Sequence, residues 1–156
     1  MVNFAILGCG GIAKVMANTV NAMIKGGNNK IKLYCAASRD LQKAQDFCKE
    51  FNVEKAYGSY DEFYKDPNVD LVYIATPHSC HFEEVKKCLE NGKNVLCEKA
   101  FTVNAKQAQE LCKLAKEKKL LFTSNNICFI SFNTIQYNIY YYCIFKCNYW
   151  HFGDII

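Results

Sequence analysis

The sequence predicts an α/β fold on a doubly wound parallel sheet, followed by an irregular C-terminal tail. Three observations predict it. Apolar runs of strand length alternate with amphipathic segments of helical period along residues 2 to 122. The first apolar run, Val2 to Leu7, opens directly into the glycine-rich turn Gly8-Cys9-Gly10-Gly11. The residues with chemical potential lie just past the carboxyl ends of the predicted strands, where such a sheet collects its functional groups.

Val2 to Ala13 (VNFAILGCGGIA) reads as a buried strand, a tight turn and the first turn of a helix. Gly8, Gly10 and Ala13 fit G-x-G-x-x-G/A, the dinucleotide fingerprint. Gly8 permits the sharp turn, and Gly10 lets the backbone approach a pyrophosphate without an intervening Cβ. Small Ala13 lets helix and strand pack closely, and the helix N-terminus offers free N–H groups to phosphate. The competing reading is a plain strand–turn–helix corner. The flanking strand, the N-terminal position and the helix stripe Ile12, Val15, Met16, Val20, Met23 and Ile24 favour the cofactor loop.

Gly26-Gly27-Asn28-Asn29 is a turn, and Ile31 to Ala37 a second strand. Ser38-Arg39-Asp40 follows at the tip, which in dinucleotide folds faces the adenosine ribose. An acid there would bind the 2′-hydroxyl of NAD, whereas Ser38 and Arg39 suit the 2′-phosphate of NADP. NADP is therefore the first expectation and NAD the second. Ser38 or Asp40 as an N-cap, and Arg39 as a solvated loop residue, compete with it.

Leu41 to Phe51 is a helix with Ala44, Phe47, Cys48 and Phe51 on one side. Lys55 to Tyr60 gives a short strand and turn, and Tyr60 to Tyr64 a helical turn closed by Asp66-Pro67. Val69 to Ala75 suits a parallel strand buried on both faces. Its tip, Thr76-Pro77-His78-Ser79-Cys80-His81, opens into a helix over Phe82 to Asn91 with Gly92 as C-cap. Asn94 to Cys97 is a strand with Glu98-Lys99 at its tip. Asn104 to Lys119 is an amphipathic helix carrying Ala108, Leu111, Cys112, Leu114 and Ala115, and Leu120 to Phe122 begins a last strand.

The 156 residues suffice for one domain with an appendage, and 51% apolar residues for a real core. The net charge of +4 is spread over solvated helix faces, as at Lys113, Lys116, Lys118 and Lys119, and predicts no nucleic-acid partner. Ten cysteines occur without a C-x-x-C pair or a secretory leader, so small buried thiols in a reducing, cytoplasmic setting are expected, with no metal site. No apolar run reaches membrane-spanning length, and no membrane partner is expected.

Taken in order, GCGGIA, AASRD, KAYGSYDEFYKDPNVDLVYIATPHSCH and ENGKNVLCEKAFTVNAKQAQEL resemble the Gfo/Idh/MocA family of oxidoreductases. The likeness covers about residues 2 to 122 and leans toward the dihydrodiol and NADP-dependent D-xylose dehydrogenase branch. It implies a Rossmann domain that binds a nicotinamide dinucleotide and works on a sugar, polyol or dihydrodiol in a homo-oligomer. The implied dinucleotide loop is Gly8, Gly10, Gly11, Ile12 and Ala13, and the implied 2′-phosphate site is Ser38 and Arg39. Thr76, Pro77, His78 and His81 would flank the nicotinamide. The family's E-K-P motif falls on Glu98, Lys99 and Ala100, with Glu98 beside the cofactor and Lys99 as the catalytic residue. A lysine there can orient the reacting oxygen and move its proton; a surface ion pair with Glu98 or another acid is the alternative role.

Two features depart from the family pattern. Ala100 stands where the motif has proline, and an Ala bond is expected to be trans. From Thr123 the composition shifts to Asn, Ile, Tyr, Phe and Cys, so residues 1–122 form the expected nucleotide-binding domain and 123–156 a non-family tail. Read-through of an intron or a shifted frame would write such a tail, leaving a truncated nucleotide-binding portion. The alternative to a working oxidoreductase is then a non-catalytic dinucleotide-binding module or inactive remnant.

Overall fold

A computed structural model describes residues 1–124. The element order is β1 (Val2–Leu7), α1 (Gly11–Lys25), β2 (Ile31–Ala37), α2 (Leu41–Phe51), β3 (Lys55–Tyr57), α3 (Tyr60–Lys65), β4 (Leu71–Ile74), a 3-10 turn (His78–Cys80), α4 (His81–Glu90), β5 (Asn94–Cys97), α5 (Ala105–Lys118) and β6 (Phe122–Ser124). The six strands form one sheet in the order β3-β2-β1-β4-β5-β6, every pair parallel. The chain winds outward from β1 to β3, returns to the far side of β1, and winds out again. The reversal leaves a crevice between the carboxyl ends of β1 and β4, where doubly wound sheets bind ligands.

Period-2 alternation divides the core into two layers. Phe4 and Ile6 of β1 face the layer built with α1 and α2, including Met16, Val20, Phe47 and Phe51. Ala5 and Leu7 face the layer built with α3, α4 and α5, including Phe63, Val85, Leu89 and Leu111. The α1 stripe differs from expectation: Ala13, Met16, Ala17, Val20 and Met23 are buried, whereas Ile12 (47%), Val15 (54%) and Ile24 (37%) are exposed. Helix α1 packs on the sheet through its small residues, which draws it close and rotates those three outward. The last strand takes in Thr123 and Ser124, paired with Leu96 and Cys97, so the β-sheet runs past the compositional break at Thr123. The remainder of the tail lies outside the described residues.

Register slips once in the centre of the sheet, where Phe4 pairs with Leu33 but Ala5 with Cys35. Tyr34 is the unmatched residue, and such a bulge re-aims a side chain. It turns the Tyr34 hydroxyl onto the Asp66 carboxylate at 3.0 Å. Asp66 is buried and also accepts from the Tyr57 hydroxyl, the Lys55 ammonium (3.3 Å) and the Asn68 N–H (2.9 Å). The buried Lys93 ammonium donates to its carbonyl at 2.5 Å. Cys9, Cys35, Cys48, Cys88 and Cys97 are buried free thiols, while Cys80 and Cys112 are half-buried. Among the described residues no helix is long and apolar enough to cross a membrane.

Candidate functional site

The crevice is floored by the turn from β1 into α1. Gly8 has φ +95, a left-handed conformation that L side chains rarely adopt. A Cβ on Gly8 would stand 2.9 Å from Thr76 Cγ2 and 3.0 Å from the Ala75 carbonyl carbon and oxygen. The tips of β1 and β4 can meet this closely only because Gly8 lacks a side chain. Gly10 and Gly11 face open space, with no atom within 4 Å of an added Cβ. Helix α1 begins there with Gly10 as N-cap, no capping side chain and no acid in its first turn. Its free N–H groups and positive dipole end therefore point into an uncrowded space, the physical requirement for a pyrophosphate. Ala13 is fully buried and Ile12 stands exposed at the first turn. Cys9 is buried, donates to the Ala37 carbonyl at 3.6 Å, and is pushed up to about 12 by burial, so its thiol stays protonated at neutral pH.

At the tip of β2 the three polar residues take different roles. Asp40 is the N-cap of α2, accepting from the Gln42 N–H at 2.9 Å and the Lys43 N–H at 3.4 Å. Ser38 is buried, and its Oγ accepts from the Asp40 N–H at 3.3 Å while its own N–H extends the ladder to the Tyr57 carbonyl. Arg39 and Asp40 are exposed, and of the two only Asp40 is tied into the α2 cap. The expected Ser38–Arg39 pair is thus an exposed guanidinium above a hydroxyl tied into a turn.

At the tips of β4 and β5, Pro77 and His78 are exposed and Thr76 is half-buried, its hydroxyl donating to the Glu84 carboxylate. His81 is fully buried, with Nδ1 2.8 Å from the Ala100 carbonyl and Nε2 2.8 Å from the Thr76 carbonyl. Both its nitrogens are engaged by backbone, so it sits behind the crevice wall. Glu98 is buried, accepting from the Tyr73 hydroxyl and, at 3.3 Å, from the Lys99 N–H. Lys99 is exposed, and among the described residues its ammonium lies within ion-pair distance of no acid; the ion pair with Glu98 is not formed. The Lys99–Ala100 peptide is cis, against the trans bond expected for alanine. Ala100 is anchored through its carbonyl to His81, and Phe101 is buried edge-on against Phe122, 5.4 Å between ring centroids, so contacts on both sides set the backbone.

Glu84 is the site residue that sequence reading passed over. It lies in the first turn of α4, a common place for an acid, and only its burial marks it out. Burial pushes its carboxyl up, against the Thr76 hydroxyl and the charges of His81, Arg39 and Lys87. Asp66 was legible only as a helix-closing Asp-Pro.

A doubly wound sheet with an uncapped, glycine-bordered helix N-terminus at its switch point, a guanidinium at one strand tip and a lysine at another defines a dinucleotide-binding fold of the nicotinamide oxidoreductase class. The chain belongs to the Gfo/Idh/MocA oxidoreductase family, whose NAD-binding Rossmann-fold model matches residues 2–126. It is 44% identical over 124 residues to D-xylose 1-dehydrogenase (NADP+) of Hypocrea jecorina, covering 75% of this chain and 32% of the relative. It is 49% identical over 81 residues to trans-1,2-dihydrobenzene-1,2-diol dehydrogenase of Xenopus tropicalis, covering 52% of this chain and 24% of the relative. Among solved structures, KijD10, a 3-ketoreductase from Actinomadura kijaniata in complex with NADP and TDP-benzene, superposes with TM-score 0.72 at 29% identity, covering 80% of this chain and 37% of that one. The chain thus spans a third or less of the length of these two relatives.

Proposed function

We propose that the chain is the cofactor-binding portion of an NADP-dependent oxidoreductase that exchanges hydride with a sugar, polyol or dihydrodiol carbon. The observation that carries this reading is the open N-terminus of α1, bordered by Gly8, Gly10 and Gly11, where a Cβ on Gly10 or Gly11 would meet no atom within 4 Å. The bound nicotinamide supplies the hydride. The N–H groups of Gly11, Ile12 and Ala13 hold the pyrophosphate, which α1 can accept without displacing an acid or a capping side chain. The exposed loops at Thr76–His78 and at Lys99 form the nicotinamide end. Lys99 donates to the reacting oxygen and holds or releases the proton at Nζ, and among the described residues no acid lies within ion-pair distance to compete for it. Glu98, turned to Tyr73, fixes the Lys99 N–H rather than meeting cofactor directly.

The preference for NADP is supported by the chemistry at the tip of β2. Asp40 is committed to the α2 cap, so no acid waits for a ribose 2′-hydroxyl, while Arg39 is free to take a phosphate through charge-assisted bonds. Titrating the 156-residue chain with NADPH and NADH, followed by nicotinamide fluorescence, tests this. NADPH should bind clearly more tightly, and Arg39→Ala should weaken NADPH by roughly tenfold to a hundredfold, the worth of about 1.5–3 kcal/mol for a hydrogen bond to a charged group, while leaving NADH nearly unchanged. Equal affinities, or an equal loss for both cofactors, would remove Arg39 from the 2′-phosphate site.

Lys99→Met should leave NADPH affinity within about twofold, because the pyrophosphate and ribose contacts lie elsewhere. The same change should lower turnover with D-xylose or a dihydrodiol by about two to four powers of ten, the usual worth of a positioned acid–base. Cofactor binding with no turnover by the parent chain across a polyol panel would instead favour the non-catalytic module.

A further inference from the structure

The glycine turn that would hold the pyrophosphate leans on Thr76, at the tip of β4. The Thr76 side chain has two arms, and the fold uses both. Its methyl carbon, Cγ2, would stand 2.9 Å from a Cβ on Gly8, so it packs directly against the bare Gly8 backbone. Its hydroxyl donates to Glu84 Oε2, in the first turn of α4. Both arms hang on one Cβ, which has three staggered positions. Turning the side chain by one position in either direction takes the hydroxyl off Glu84 and the methyl off Gly8 together. Glu84 itself sits on the buried face of α4 with Val85, Cys88 and Leu89, 6% exposed, and among the described residues it forms no ion pair. An apolar residue would fill that position without the cost of burying a polar group, so packing does not account for an acid there. A carboxyl accepts a hydroxyl hydrogen whether or not it is ionised, and the contact does not depend on its charge.

We propose that Glu84 is a positioning residue for the dinucleotide turn: by fixing the Thr76 rotamer it seats the methyl against Gly8 and sets how the Gly8-Cys9-Gly10 turn lies at the crevice. The seating is a property of the chain without cofactor, whereas its consequence for binding rests on the function proposed above. The part of the cofactor concerned is the pyrophosphate, which NADP and NAD share. Glu84 therefore acts on affinity for both, and Arg39 on the choice between them.

Two substitutions separate the acceptor from the volume it fills. Glu84→Leu removes the acceptor and continues the apolar face of α4, whereas Glu84→Gln keeps a carbonyl oxygen that accepts. Carbon-13 couplings along the Thr76 side chain read its rotamer in the 156-residue chain without cofactor. The parent and Glu84→Gln should show one rotamer, and Glu84→Leu a mixture with the Gly8 and Gly10 amide signals displaced. An unchanged rotamer in folded Glu84→Leu, or unmoved Gly8 and Gly10 signals, overturns the proposal. In titrations Glu84→Leu should weaken NADPH and NADH alike, by about twofold to tenfold, the net worth of one hydrogen bond, and Glu84→Gln should restore most of that loss. Thr76→Val removes the same bond from the other side, so adding Glu84→Leu to it should cost no further affinity. Additive losses, or a loss confined to NADPH, overturn the proposal. Should Glu84→Leu not fold, Thr76→Val alone decides it: equal affinities to the parent for both cofactors, with unmoved Gly8 and Gly10 signals, overturn it. No binding of NADPH by the parent, beside the rotamer change in Glu84→Leu, would sink the cofactor reading and leave the seating of Thr76 on Gly8 standing.

Discussion

Asp66→Ala should destabilise the folded chain by about 3–5 kcal/mol, the usual loss when one member of a buried charged network is removed. The carboxylate is buried and takes hydrogens from Tyr34, Tyr57, Lys55 and the Asn68 backbone, so truncation leaves the two buried tyrosine hydroxyls without their charged acceptor. Urea unfolding at pH 7 would register the loss, and a midpoint within error of the parent would show that water can replace the carboxylate. The same network sets a pH dependence. Burial alone pushes the Asp66 carboxyl up, but the Tyr57 hydroxyl, the Asn68 N–H, the Tyr34 hydroxyl and the Lys55 ammonium outweigh it and hold the group far below the usual carboxylate range. A carboxyl depressed in the folded state contributes stability fully above its unfolded value near about 3.9, and loses it as pH falls toward the folded value. Asp66→Asn should therefore lower stability at neutral pH and flatten the loss between pH 4 and pH 2. A parallel downward shift of the whole curve would place the acid sensitivity elsewhere.

Gly8→Ala should be the most damaging single-methyl change near the crevice. A side chain at φ +95 costs about 1–3 kcal/mol of backbone strain. The new Cβ would also meet the Ala75 backbone at 3.0 Å, which has little room to retreat inside a parallel sheet, adding about 1–3 kcal/mol of overpacking. Relief by separating the tips of β1 and β4 would move the α1 N-terminus away from Thr76. NADPH affinity should then fall by more than the loss of stability alone would produce. Binding and thermal unfolding of the variant together decide this: an unchanged melting temperature would mean that the turn can adopt another conformation, and intact affinity in a destabilised variant would detach Gly8 from cofactor binding.

The positions of the six strands and five helices were legible because each rests on short-range information. A parallel strand buried on both faces needs an unbroken apolar run, as in Leu71 to Ala75, and a surface helix needs a 3.6-residue stripe, as in Ala44, Phe47, Cys48 and Phe51. The glycine turn was legible for the same reason, since Gly8, Gly10 and Ala13 act within one loop. What each α1 residue packs against was not. Ile12, Val15 and Ile24 fit the stripe, yet the close approach allowed by Ala13 and Ala17 turns them to the surface.

At the site, the residue types were legible and their duties were not. Ser38, Arg39 and Asp40 are consecutive, yet only the fold separates a buried turn hydroxyl, an exposed guanidinium and a helix cap. His81 reads as a loop residue that would face the nicotinamide, and burial between two strand tips makes it a tie behind the wall instead.

By itself, then, the sequence determined the α/β class, the parallel winding and the glycine turn between β1 and α1, because strand and helix periods and glycine conformational freedom are local properties. Only the tertiary structure decided the bulge at Tyr34, the convergence on Asp66, the Tyr73–Glu98 contact and the bridge at His81. Apart from the Asn68 N–H on Asp66, those link residues between 5 and 32 positions apart through single polar atoms, and the cost of leaving such an atom unpaired exists only once the chain has closed around it and removed the water.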